Sequence, residues 1–151
     1  MFGSERFLDA LAGGRNPAMI GSLDRLHTYT YIEDFGEALV IAAMNEDACG
    51  RAWICPSAPA PTTGELARRF VEAFPGLEGK RIRFRTLPGI ALRAAGLFDP
   101  VVREIPEMLY QKQQTYVADG RLFAGRFGFV PTSLDEGIRK TLDWYSAGEA
   151  A

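Results

Sequence analysis

Two hydrophobic periods alternate along the chain. The opening Ser4-Glu5-Arg6-Phe7-Leu8-Asp9-Ala10-Leu11 has a helical pattern that Gly13-Gly14 ends. Asn16-Pro17 and Gly21-Ser22 mark turns. Thr28 to Ile32 is rich in β-branched and aromatic residues and predicts a strand. Phe35, Ala38, Leu39 and Ala42 then recur at i, i+3, i+4 and i+7, one face of a helix. Ala52 to Cys55 predicts a short strand before the proline-rich loop Pro56 to Pro61. Thr62 and Glu65 have capping-box spacing, in which hydroxyl and carboxylate satisfy the first free amides of a helix. Leu66, Phe70 and Phe74 give that helix its apolar stripe, and Pro75-Gly76 stops it.

Ile82 to Thr86 predicts the next strand. Helices are expected over Leu87 to Phe98 and over Val101 to Tyr110, the second broken or kinked by Pro106. Ser133 and Glu136 repeat the capping-box spacing, and Leu134, Ile138, Leu142 and Tyr145 line a final helix. Strands alternating with helices argue for the α/β class. There is no internal repeat and no low-complexity segment.

Composition narrows the function classes. A chain of 151 residues suits one domain, with 47% hydrophobic and 24% charged residues as in globular proteins. The net charge of -2 argues against a nucleic-acid binder. The local run Lys80-Arg81-Ile82-Arg83-Phe84-Arg85 is basic, and its alternation fits a strand with one wet face. No apolar run is long enough to span a bilayer, and no signal peptide is visible. Cys49 and Cys55 have no histidine or cysteine neighbours at metal spacing, and with one histidine in the chain no zinc site is expected. Free thiols in a reducing cytoplasm are the expectation.

The chemistry that is missing is equally informative. No G-x-G-x-x-G turn is present to bring backbone against a pyrophosphate. Gly76-Leu77-Glu78-Gly79-Lys80-Arg81 is too short for a P-loop and lacks its Ser or Thr. Three other segments stand out: His27-Thr28-Tyr29-Thr30-Tyr31-Ile32-Glu33-Asp34-Phe35-Gly36-Glu37-Ala38, then Gly50-Arg51-Ala52-Trp53-Ile54-Cys55 with Thr62-Thr63-Gly64-Glu65-Leu66, and last Phe127-Gly128-Phe129-Val130-Pro131-Thr132-Ser133-Leu134-Asp135-Glu136-Gly137. In order and spacing they resemble the C-terminal, substrate-binding half of the extended short-chain dehydrogenase/reductases, the NAD-dependent epimerase/dehydratase family. The resemblance covers nearly the whole chain.

The resemblance implies an α/β fold: the C-terminal substrate-binding portion of an extended Rossmann-type enzyme, with short strands alternating with helices and no complete dinucleotide-binding sheet. Residues 1–151 would be a single domain. NAD or NADP would be bound by an N-terminal Rossmann domain upstream of Met1, and none by this chain alone. The family's catalytic Tyr, followed four residues later by Lys, has no counterpart, since no Tyr here has Lys at that offset; no catalytic residue is expected.

The family also suggests where substrate would lie. His27 stands where it often has an Arg that clamps a nucleotide diphosphate, and Gln113 and Gln114 lie near a second such place. Imidazole lacks that fork, so a smaller, less charged substrate is implied. His27 is otherwise a strand-end histidine with a local hydrogen bond. Tyr29 and Tyr31 lie two apart, on one face of the expected strand, and either pack the core or line a pocket. Asp34 and Glu33 at the strand-to-helix junction read as helix-capping carboxylates. Arg103 to Gln111 resembles a helix that closes over substrate in part of the family. Tyr110 and Gln111 are the substrate contacts it offers; the alternative is an ordinary surface helix. Asp119-Gly120-Arg121-Leu122 occupies the place of a structural Asp-x-(Ser/Thr)-Lys pattern. Trp144 and Tyr145 read as core or interface anchors.

The expected function is substrate recognition for an NAD(P)-dependent epimerase, dehydratase or reductase acting on a small hydroxyl- or carbonyl-bearing molecule. The expected partners are that small-molecule substrate and the missing cofactor domain, or another chain, covering an apolar face of the helix after Ile32. Neither nucleic acid nor membrane is expected. A stand-alone, non-catalytic binding or interaction module of the same fold is the second reading.

Overall fold

A computed structural model of the protein describes residues 4–87, 90, 97 and 109–149. The helix expected over Leu87 to Phe98, and most of that over Val101 to Tyr110 with its Pro106 break, lie outside the described residues; residues 109–113 are helical. The described residues form helices and a two-stranded parallel sheet, a small α/β fold. They divide into two compact units, residues 1–26 with 61–116 and residues 27–60 with 117–151.

In the first unit α1, Ser4–Ala12, buries Phe7, Leu8 and Leu11. It ends at Gly13-Gly14, where the amides of Gly13 and Gly14 donate to the carbonyls of Asp9 and Leu11. Asn16-Pro17, expected to be a turn, instead leads into β1, Ala18–Met19. Pro17 and Met19 are buried. β1 pairs in parallel with β2, Arg85–Thr86. The ladder is shorter than the strand expected over Ile82 to Thr86, because at Arg83 a side chain replaces backbone: its amide donates to Asn16 Oδ1 at 2.8 Å.

The helix α3, Thr63–Ala73, begins as its sequence requires. Glu65 donates its amide to Thr62 Oγ1 at 3.1 Å, and the Thr62 amide donates to Glu65 Oε2 at 2.7 Å. Leu66 and Ala67 are buried, and Phe70 meets Phe7 edge-on at 5.8 Å.

The second unit is built around aromatic rings. α2, Ile32–Met44, turns Ala38 inward against Phe123 and Phe129, with Ile41, Ala42, Trp53, Cys55 and Phe127 around them. Phe123 lies on α4, Arg121–Phe127, and is almost fully buried. Its ring is 5.8 Å from Trp53, 4.7 Å from Phe127 and 5.8 Å from Phe129, in edge-on or tilted geometry. Such pairs each add about 0.5–1.5 kcal/mol to plain burial. Gly128, at φ 66°, ends α4 in the left-handed region that L side chains avoid, and so returns Phe129 to the core. The last helix, α5, Leu134–Glu149, buries Ile138 and Leu142; the Glu136 amide donates to Ser133 Oγ at 3.3 Å.

Two expected strands of this unit do not form. Thr28 to Tyr31 runs without a ladder into α2, which already starts at Ile32, and Ala52 to Cys55 is irregular. Side chains take the place of ladder bonds: Thr28 Oγ1 accepts from the Ala118 amide at 2.9 Å, and Thr30 Oγ1 bonds Ser57 Oγ at 2.7 Å. Trp53 donates from Nε1 to the Ala48 carbonyl at 2.9 Å. Gly120 permits a close approach here, since a Cβ on it would stand 2.5 Å from Pro56 Cα.

Candidate functional site

The segment from His27 to Asp34 gathers most of the residues singled out in the sequence. His27 still belongs to a β-bridge, but from Thr28 to Tyr31 the segment joins no ladder and side chains help fix its course. His27 is buried at 5% exposure, with its ring 6.4 Å from that of the half-buried Tyr29. Two residues on, Tyr31 lies against α5. A Cβ on Gly137 would be 3.6 Å from the Tyr31 ring, and Lys140 Nζ stands 5.4 Å from the ring centre. That is within range of a cation–π attraction. A side chain at Gly137 would meet the ring at ordinary van der Waals distance, so the packing there does not require glycine. Lys140 also reaches Glu33 at 3.4 Å.

The Tyr31 hydroxyl is held above the ordinary phenol value, first by burial and then by its hydrogen bond to Glu33. It is therefore a neutral phenol at physiological pH. It can donate a hydrogen bond, and it is not an activated base.

Asp34 departs from its expected role. It sits in the first turn of α2, yet its oxygens do not bond the helix's own amides. Oδ2 accepts from the Thr132 amide at 2.8 Å, and Oδ1 from Thr132 Oγ1 at 2.6 Å. At 5% exposure this carboxylate ties the start of α2 to the loop before α5. The tie joins residues 98 positions apart, and no local pattern announces Thr132. Cys55 lies beside it, with Sγ 3.4 Å from the Pro56 carbonyl and 3.8 Å from that of Asp34. Burial, and then the Asp34 charge, push the Cys55 thiol up. It is a packed thiol, unsuited to nucleophilic attack.

Tyr110 and Gln111 belong to the other unit. Both are exposed, Tyr110 at 59%, and Gln111 Nε2 donates to Tyr110 Oη at 3.3 Å. The expected set is thus divided: His27, Tyr29 and Tyr31 belong to one unit, Tyr110 and Gln111 to its companion. Asp119 is engaged with Arg121. It accepts from the Arg121 amide and grips the Arg121 guanidinium, and that hydrogen bonding lowers its carboxyl to about 2. Trp144 is exposed on α5, whereas Tyr145 is half-buried.

The outer face of α2 borders this segment and is apolar. Ile32 is 73% exposed and Met44 80%, with Phe35, Leu39 and Val40 exposed between them. Among the described residues no group of three His, Cys, Asp or Glu side chains converges as a metal site would require. No helix among them is long and apolar enough to cross a membrane. Comparison with protein-family models, with curated proteins and with solved structures finds no match to this chain.

Proposed function

We propose that these residues form the substrate-recognition part of an NAD(P)-dependent epimerase, dehydratase or reductase of the extended short-chain dehydrogenase/reductase kind. The substrate is a small molecule bearing a hydroxyl or carbonyl group. NAD or NADP binds to a Rossmann domain outside these residues, and hydride passes there between substrate carbon and nicotinamide. Tyr29 and Tyr31 in one unit, and separately Tyr110 and Gln111 in the other, offer hydrogen-bonding side chains with surface still open to solvent. His27, being buried, acts through the Tyr29 ring as a positioning residue. The three quoted segments, in order, support this reading.

The observation that carries it is the outer face of α2. Single exposed apolar residues are ordinary, but a continuous stripe beside a candidate site marks a surface that something covers. A cofactor domain supplies such a cover, and ligands of two-domain enzymes bind where domains meet. The test uses the chain as it stands, with an apolar-surface dye and titrations of NAD and NADP. Dye fluorescence should rise strongly, and neither nucleotide should shift the melting temperature. A dye-silent monomer with a sharp melt would instead support the stand-alone binding module. Tight nucleotide binding, or turnover by this chain unaided, would overturn the proposal.

A further inference from the structure

We propose that the outer edge of β2 is a docking site for an extended acidic polypeptide segment, which adds to the sheet as a third strand. This stands apart from the dehydrogenase reading. It rests on two independent features of the stretch from Lys80 to Leu87.

The first is an open edge. The amides of Arg83, Arg85 and Leu87 all donate toward residues 16–19: to Asn16 Oδ1 at 2.8 Å, to the Pro17 carbonyl at 3.5 Å and to the Met19 carbonyl at 2.9 Å. Backbone groups of a strand alternate in direction, so Phe84 and Thr86 present theirs to the opposite edge. Among the described residues nothing accepts from those two amides, and the sheet has no third strand. Unpaired edge groups are a template for another strand.

The second is the charge beside that edge. Arg81, Arg83 and Arg85 are exposed, whereas Ile82 and Phe84 between them are half-buried. Three guanidinium groups therefore share one face, and among the described residues none pairs with a carboxylate. Their repeat is two strand residues, roughly 6.6 Å. An added strand with Glu or Asp at alternate positions has the same repeat. It would set each carboxylate beside one guanidinium at cross-strand distance, where bidentate pairing is open to it. The same charges repel a second copy of this edge, which removes the simplest self-association. The unit that carries the edge holds twelve basic residues against nine acidic, and the other unit five against ten. The excess of positive charge thus lies on the unit that displays the edge.

Fluorescence anisotropy tests this with the whole chain and a labelled peptide of alternating Thr and Glu, at low ionic strength. Saturable binding is expected. It should weaken about tenfold or more with Gln in place of Glu, with Pro in place of Thr, or with the chain carrying R81E, R83E and R85E. The variants R81Q, R83Q and R85Q together should weaken it too, and circular dichroism should show both proteins folded, because these side chains are exposed. Absence of saturable binding would overturn the proposal. So would equal binding of the Pro peptide, which carries the charge but lacks strand amides. Equal or tighter binding of a single-stranded oligonucleotide of the same charge would assign the patch to phosphates and overturn it as well.

Discussion

Asp34 looks like an ordinary acidic residue at a helix start, and its surroundings give it other work. Both its oxygens are spent on Thr132, and it is buried. A hydrogen bond to a charged partner contributes about 1.5–3 kcal/mol. Asp34→Ala removes both acceptors and leaves a half-buried amide and hydroxyl unsatisfied, so it should cost about 3 kcal/mol in urea unfolding. Asp34→Asn retains one amide oxygen and should cost clearly less. If the two variants unfold alike and close to the parent, the tie contributes nothing. The neighbouring thiol gives a second readout. The Asp34 charge helps push Cys55 up, so Asp34→Asn should speed the reaction of Cys55 with a disulfide reagent at mildly alkaline pH. Cys49, which is exposed, should react first in either protein.

The elements divide by how local their causes are. The first helix and α3 are written into contiguous sequence: an apolar stripe, glycines or a Pro-Gly pair at the end, and at Thr62 a reciprocal cap. That cap also makes a testable element. Thr62→Ala removes one of its two bonds and should cost about 1 kcal/mol. The Glu65 carboxyl is held below its ordinary range by its bond to the Thr62 backbone, then by the Thr62 hydroxyl. A carboxyl lowered in the folded state stabilises fully above its unfolded value, about 4.3. That stabilisation is lost as the pH falls through the lower folded value. The parent and Glu65→Ala, which loses the carboxylate that accepts from the Thr62 amide, should therefore differ most near neutrality and less in acid, as thermal melts across that range would show. Equal differences at every pH would mean that the carboxylate plays no part in the cap.

The strands were not legible in the same way. Thr28 to Tyr31 has strand composition, but its threonine hydroxyls bond Ser57 and the Ala118 amide, and its backbone joins no ladder. Propensity for strand records a fit to a sheet surface, and no sheet meets that segment among the described residues. β1 and β2 are set by each other across more than sixty residues, with a side-chain bond from Asn16 closing the register. The candidate site shows the same limit. The sequence offered His27, Tyr29 and Tyr31, which do lie in sequence order along one segment. It gave no sign that Gly137 and Lys140 would frame Tyr31, or that Thr132 would hold Asp34, because those partners lie about a hundred residues away.

At the scale of the molecule, the outer face of α2 sets the terms for any partner. Full burial of one large apolar side chain contributes about 1.5–3 kcal/mol. Ile32, Phe35, Leu39, Val40 and Met44 are already covered in part, so covering the rest would yield roughly 5–10 kcal/mol together. Bringing two free bodies together costs about 4–15 kcal/mol. The stripe alone therefore holds a free partner weakly. A domain joined through the backbone meets it at an effective concentration near the millimolar range and is held far better. This magnitude predicts weak self-association of the chain by itself. Leu39→Lys with Val40→Lys should clearly reduce dye binding and any concentration-dependent sedimentation. The melting temperature should stay within about 2 °C, because neither side chain supports the Phe123 core. A drop much larger than that would mean that the face is part of the folded unit's own packing. Unchanged dye binding would place the apolar surface elsewhere, and with it the observation on which the dehydrogenase reading depends.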